Sequence, residues 1–330
     1  MSTPPSSARG ALRKLRSGRN QKTNVCRLIH GAADGWAGLY IDRLADYLLV
    51  QSERPLTDAQ QQTVQSLRSN LKSKGVYHKH LNRQIQNTSK SNASARLIMG
   101  LEAPEFFEAT EHHLRYRLSF NEGYSTGLFL DMRENRHRLL SNLIEPGFPV
   151  FDRGVGAPKI LNTFAYTCSL SVCAARAGAI TTSLDLSQKY LEWGRENFHL
   201  NQLNPDDHDF IYGDTFDWIK RLAKRGEQYD LVILDPPTFS RSKISGLFRA
   251  KSDYGRLAKS ASALVRKNGM LLACCNAATL SPAEFKADVR RGIRDGGRKI
   301  VQHFQAMQPK DFPVDQQEPA YLKAFWLRLN

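Results

Sequence analysis

No uninterrupted apolar stretch in the sequence approaches the roughly 18 residues that a membrane-spanning helix needs. The strongest runs, such as Leu231–Leu234 and Met270–Cys275, have the length of buried strands, so no membrane partner is expected. Cysteine is sparse: five in 330 residues, at Cys26, Cys168, Cys173, Cys274 and Cys275, none in a CxxC pair. An odd count without that spacing argues against a disulfide framework and a zinc knuckle, and a reducing cytoplasm is the simpler setting. No metal site is expected. No GxGxxG occurs, which argues against a dinucleotide fingerprint, and no internal repeat is visible. Residues 1–22 hold no acid and no apolar core of a secretory signal. They are rich in Ser, Pro, Arg and Lys and read as a basic, disordered arm that touches phosphates.

What is abundant is positive charge. The formal net charge is +15 and the isoelectric point about 9.7. Such an excess implies a polyanionic partner, the alternative being a basic but otherwise ordinary enzyme. The length suggests two domains.

From 23 to 120 the pattern is that of a small α+β domain expected to bind RNA or substrate. Strands are predicted at Cys26–His30, Tyr47–Gln51, Val76–Leu81 and His113–Phe120, with a helix over Thr57–Ser73 and an exposed polar loop over Asn82–Ala95. The rest, 121–330, alternates strand and helix. Strands are predicted at Ile160–Phe164, Thr181–Leu184, Phe210–Tyr212, Leu231–Leu234 and Met270–Cys275. Helices fall at Ser169–Gly178, Ser187–Leu200, Asp214–Arg225, Ser252–Lys267 and from Ser281. Alternation of this kind makes an α/β fold with a parallel sheet, whose ligands bind beyond the carboxyl ends of the strands. Two last strands, Lys299–Met307 and Tyr321–Leu329, are separated by too little chain for a helical crossover and should pair antiparallel.

The chemistry-bearing residues cluster at predicted strand ends. Leu161–Ser169 opens a helix with small residues, where a helix N-terminus favours an anionic group. Asp185 ends the next strand and can accept from both ribose hydroxyls, or help Ser187 cap its helix. Asp214 can accept from an adenine amino group, or cap its own helix. Together the two acids favour an adenosine-type ligand. The sharpest motif is Asp235-Pro236-Pro237-Thr238-Phe239: two prolines end a strand and rigidify the loop, which leaves Asp235 at the mouth of the sheet and Phe239 able to stack on a flipped base. Arg136 and Arg138 read equally as functional charge or as a solvated basic helix face.

These segments together resemble the S-adenosylmethionine-dependent methyltransferases of large-subunit ribosomal RNA, the group that contains the 5-methylcytosine enzyme I and the 7-methylguanine enzyme K. The resemblance runs from Asn24 onward, through Arg27–Gly31, Gly38–Arg43, Thr126–Arg133, Leu161–Thr167, Asp185–Ser187, and Asp235–Ser240 with Ser242 and Lys243. It implies a class I, Rossmann-like seven-stranded sheet with an antiparallel last strand, S-adenosyl-L-methionine as cofactor, and ribosomal RNA as partner. It further implies that Phe129, Asp131 and Arg133 border the cofactor and that Asn162, Phe164 and Tyr166 line its turn. Asp185 with Leu186 would hold the ribose, Asp214 with Thr215 would meet the adenine, and Asp235 with Pro236 would face the methyl donor.

There are departures. Cys168 stands where the family usually has glycine, so either its side chain crowds the methionine moiety or the turn shifts slightly, with cofactor affinity the property affected. The cytosine enzymes need a cysteine near Leu272–Ala277, because C5 of cytosine is nucleophilic only after a thiolate adds at C6. Alignment places Asn276 at that position and Cys275 one residue earlier, facing the other way on a strand. The Asp235–Ser240 run also resembles the guanine enzyme more closely. Methyl transfer to guanine N7 by direct displacement is therefore expected, with Asp235, Asn276 and Phe239 at the reacting base. The alternatives are cytosine C5 chemistry through Cys275, and a non-catalytic RNA-binding protein that keeps the fold.

Overall fold

A computed structural model describes residues 23–81, 94–123, 125–151, 156–242 and 244–330. The basic arm, most of the loop predicted at Asn82–Ala95, and Lys243 lie outside these residues.

The first unit runs to Arg133 and includes 309–319. Its sheet has the order β1 (Val25–His30), β2 (Leu39–Leu44), β3 (Tyr47–Ser52), β4 (Gly75–His80), β5 (Arg96–Gly100). Only β3 and β4 pair in parallel; α1 (Asp58–Leu71) makes the crossover between them. Thr57 and Gln60 form a capping box at the start of α1, and Val64 and Leu67 pack with Leu28, Ile41 and Val50 of the sheet. A separate hairpin, β6 (Phe107–Glu111) and β7 (Leu114–Leu118), follows.

Ion pairs extend the first unit past residue 120, where the sequence suggests a boundary. Arg133 Nη1 meets both oxygens of Asp311 at 2.8 Å, its Nε meets Glu111 at 3.3 Å, and its Nη2 donates to the Val25 carbonyl. These contacts hold 121–133 and the late segment 309–319 in the first unit. Glu318 accepts from Ala32 N–H and Tyr40 O–H. It fills the space that a Cβ at Gly31 (φ 56°) would need.

The second unit holds α2 (from Glu134 to Ser141 of Arg133–Ser141), the short pair β8 (Leu143–Glu145) and β9 (Phe148–Pro149), and a seven-stranded sheet. In chain order its elements are β10 (Lys159–Thr163), α3 (Ser169–Arg176), β11 (Ile180–Asp185), α4 (Gln188–Leu200), β12 (Asp209–Tyr212), α5 (Thr215–Lys224) and β13 (Tyr229–Leu234). Then come β14 (Phe239–Ser242), β15 (Gly246–Arg249), α6 (Ala250–Ser262), β16 (Val265–Cys275), α7 (Pro282–Asp295), β17 (Ile300–Ala306) and β18 (Lys323–Leu329). The sheet order is β12-β11-β10-β13-β16-β18-β17. The first five strands are parallel, and β18 is antiparallel to both neighbours, as expected from the short final connection. All six residues of β13 are buried, as a central parallel strand requires. Residues of α5, α6 and α7 share one core cluster with the sheet. On the other face, Trp326 Nε1 donates to Asn135 Oδ1 of α2 at 3.0 Å.

Three local features depart from the sequence reading or add to it. The helix predicted to reach Lys267 stops at Ser262, and β16 already begins at Val265. Asn268 (φ 63°) and Gly269, read as the end of the helix, form an excursion inside the strand, between the Tyr229↔Val265 and Leu231↔Met270 pairs. The loop after Asp235-Pro-Pro contains a hairpin, β14–β15. Arg136 is fully buried and Arg138 donates to the Ile144 carbonyl over the Phe304 ring, so α2 presents neither as a solvated face.

Candidate active site

Every loop that leaves the carboxyl edge of the parallel strands carries a residue singled out from the sequence. The chain order reverses between β10 and β13, the switch point where open α/β sheets bind ligands.

The turn after β10 is the most strained segment. Phe164 (φ 56°), Tyr166 (49°) and Cys168 (60°) are all left-handed without being glycine, a conformation that costs roughly 1–2 kcal/mol each. Three hydrogen bonds hold it: Ala165 N–H to the Leu184 carbonyl (3.0 Å), Tyr166 N–H to Asp185 Oδ2 (2.8 Å), and Asn197 Nδ2 to the Thr167 carbonyl (2.9 Å). Strain of this kind persists where the surroundings over-determine it, typically at ligand sites.

Two observations test whether the turn suits a zwitterionic, adenosine-bearing cofactor. No side chain caps α3, so N–H groups of its first turn are left for a ligand carboxylate. Asn162 donates to Ser171 Oγ at 2.9 Å, yet its own Oδ1 is buried without a partner and calls for a donor. The residues fit.

The Cys168 sulfur is buried against α4, in the space left by the missing side chain of Gly194: a Cβ there would overlap the sulfur and lie 2.9 Å from the Cys168 Cβ. Burial pushes its thiol up to about 12, so it is neutral.

Asp185 ends β11 with both oxygens engaged, Oδ2 by Tyr166 N–H and Oδ1 by Ser187 N–H (2.8 Å each). Burial raises its pKa, against the pull of these donors. Ser187 itself caps α4 and the neighbouring Leu186 is exposed. Asp214 caps its own helix: Oδ1 accepts from Asp217 N–H at 3.0 Å, and Thr215 beside it is buried. Its Oδ2 accepts from Ser245 at the tip of the β14–β15 hairpin (2.6 Å). Burial pushes Asp214 up, but the Ser242 and Ser245 hydroxyls and two backbone N–H groups outweigh it and leave the pKa lowered. The same hairpin places Phe248 beside Phe164 (6.5 Å between rings) and Phe216 (5.7 Å), an apolar wall suited to a flat ring.

Asp235 and the buried Pro236 follow β13. The buried Tyr254 hydroxyl of α6 donates to the carbonyls of Leu234 (3.1 Å) and Cys274 (2.8 Å), tying together the ends of β13 and β16. Asn276, exposed just beyond β16, accepts through Oδ1 from Thr238 Oγ1 at 2.9 Å. Its amide nitrogen has no partner among the described residues. Phe239 is 44% exposed at the start of β14. Cys275 is buried in the core cluster that contains Tyr254 and Phe285, and burial raises its pKa.

Asn162, Phe164, Tyr166, Asp185, Leu186, Asp214, Thr215, Asp235, Pro236, Phe239 and Asn276 thus share the carboxyl edge of one sheet. Phe129, Asp131 and Arg133 fall in the first unit, where Phe129 is exposed and Arg133 is held by its carboxylate partners. Sequence reasoning missed Ser245, Phe248 and Tyr254. Ser245-Gly246 between two short runs was the signal available for the hairpin; Tyr254 has no local signal.

The comparisons with known proteins agree with this geometry. A model of the S-adenosylmethionine-dependent methyltransferases matches residues 26–328. YwbD of Bacillus subtilis (strain 168), provisionally named a ribosomal RNA large subunit methyltransferase, is 30% identical over 315 residues, spanning 93% of this chain and 75% of its own. Ribosomal RNA large subunit methyltransferase I of Escherichia coli O157:H7 is 27% identical over 308 residues, 92% of this chain and 74% of that one. Among solved structures, SMU.776, provisionally named a methyltransferase and complexed with SAH, superposes with a TM-score of 0.82 at 28% identity over 98% of this chain and 80% of that one. With nearly all of its length matched, the chain belongs to the S-adenosylmethionine-dependent methyltransferase family.

Proposed function

We propose that the protein methylates large-subunit ribosomal RNA at guanine N7 by direct displacement. The names of its relatives support the RNA class, as does the charge of +15. Asn276 carries the choice of base. Its amide oxygen is occupied by Thr238, so it presents N–H donors, and guanine offers the acceptor O6 beside N7, whose lone pair is left for the methyl group. No cysteine among the described residues supports the cytosine route: the thiol nearest the reacting edge, Cys275, is buried with a raised pKa.

S-adenosylmethionine supplies an electrophilic methyl group on a sulfonium. With the cofactor held there, the N7 lone pair would take that group as the carbon–sulfur bond breaks and the sulfur would leave as a neutral thioether, so no side chain has to remove a proton. The protein's part is alignment and a favourable field. Asn276 and Asp235 orient the base and Phe239 stacks on it. Asn162, Phe164 and Tyr166 line the cofactor turn, Asp185 with Leu186 holds the ribose, Asp214 with Thr215 meets the adenine, and Pro236 stiffens the loop. The resemblance adds Phe129, Asp131 and Arg133 to the cofactor set and RNA binding to the first unit.

The test is methyl transfer from labelled cofactor to ribosomal RNA from cells lacking this protein, followed by digestion to nucleosides and mass spectrometry. Label in 7-methylguanosine is expected. Label in 5-methylcytidine would overturn the proposal, and no label with cofactor binding intact would favour a non-catalytic role.

A further inference from the structure

Away from the cofactor turn, α7 and the edge strand β17 enclose a groove of about 510 Å3 lined by Ala287, Arg290, Arg291, Arg294, Ile300 and His303. A second depression, with Pro282, Lys286 and Gln305 in its walls, continues it along the same two elements toward the carboxyl edge of the sheet. The upper end lies close to Asn276 in the chain, and there Lys323 donates to the Ala277 carbonyl at 2.7 Å.

The groove's charge is poorly compensated. Arg291 is paired with Asp288 (2.5 Å), and Arg294 stands 3.6 Å from Asp295. Lys286 and Arg290 have no acidic partner among the described residues. Both instead lie over the Phe325 ring, 5.8 and 5.7 Å from its centroid, with His303 edge-on to the same ring at 5.6 Å. Arg290 Nη2 and His303 Nε2 are 3.2 Å apart. Two cations gathered on one ring without a carboxylate leave positive charge that an outside anion can neutralise.

We infer that this groove is a phosphate track for the RNA strand, leading from the methylated base along the back of the catalytic unit; the inference rests on RNA being the substrate. Lys286, Arg290 and Arg294 recur every four residues and so lie on one helix face. Over about 12 Å of helix they face three or four phosphates of a stacked strand, at roughly 3.4 Å per charge. Ligand recognition here is electrostatic and independent of sequence.

The experiment compares the full chain with a Lys286→Gln, Arg290→Gln, Arg294→Gln variant. A control, Lys220→Gln, Lys224→Gln, Arg225→Gln on α5 and its C-cap, loses the same charge. Binding to large-subunit ribosomal RNA is measured across salt concentrations, and kcat and KM are measured for methyl transfer. Three lost single-strand contacts should make the slope of log Kd against log salt shallower by about 2. Between 50 and 200 mM salt the wild type should then lose roughly eighteen-fold more affinity than the variant. KM for RNA should rise, with kcat and thermal stability unchanged, and the control should keep the wild-type slope. An unchanged slope in the groove variant overturns the track and leaves these charges the role of guarding a sheet edge. Equal losses in both variants overturn it too. A wild-type protein that neither binds nor methylates RNA overturns both this inference and the function it rests on.

Discussion

Cys168 and Gly194 form a pair whose coupling can be worked out in advance. Gly194→Ala puts a Cβ into the Cys168 sulfur, inside the core and against a residue already fixed in a left-handed conformation. Overpacking of this kind costs about 2 kcal/mol. Against this, alanine is better than glycine in a helix by about 1 kcal/mol. The variant should therefore be destabilised by about 1 kcal/mol net. In a Cys168→Gly background the sulfur is gone and glycine suits φ 60°, so the overlap disappears and only the propensity gain remains. There, Gly194→Ala should stabilise by about 1 kcal/mol. The sign of one substitution thus reverses with the identity of the other residue, a coupling of about 2 kcal/mol. Equilibrium urea unfolding of the four proteins measures it. If Gly194→Ala has the same effect in both backgrounds, within about 0.5 kcal/mol, the packing account of Cys168 is wrong. The cofactor-crowding expectation would then need to be taken up again.

Three more outcomes follow from the site. Tyr254→Phe removes the donor that two buried strand-end carbonyls share. It should cost about 1–3 kcal/mol and lower kcat by loosening Asp235 and Asn276, and unchanged melting and turnover would refute the bridge. Cys275→Ala should keep methyl transfer while losing about 1 kcal/mol of stability; complete loss of activity in a folded variant would make Cys275 the nucleophile. Asp185 has a raised folded pKa, so its contribution to stability is full below the ordinary carboxylate value and falls as pH rises through the raised one. The stability of the wild type relative to Asp185→Asn should therefore decline as pH rises above about 4, and a constant difference would refute the burial argument.

Much of this architecture is carried by local physics. Apolar periodicity and capping residues placed the helices: Thr57, Ser187 and Ser281 each cap the helix that their side-chain chemistry suggests. The buried strand β13 and the end of β16 read as short apolar runs, and β10 and β11 as short β-branched and apolar segments between helices. Strands without that contrast escaped notice. β2 carries Asp42 and Arg43 inside its run, β14 is polar, and β15 is four residues with Phe248 as its one buried side chain, so none shows the extended signal of a buried face. The Asn268-Gly269 excursion looked like a helix end because a left-handed residue followed by glycine marks either feature.

The sequence by itself determined the alternation of strand and helix and the acids at the strand ends, because these depend on residue type and short spacing, and its motifs carried the resemblance to the family. Only the tertiary structure decided where lone side chains point and what distant segments share. It buried Arg136 and Cys275, turned the Cys168 sulfur into the gap at Gly194, and tied Asp214 to Ser245 thirty-one residues away. It also returned 309–319 to the first unit through Asp311 and Glu318. Those outcomes rest on packing volume and on ion pairs between residues far apart in the chain, which no local pattern encodes.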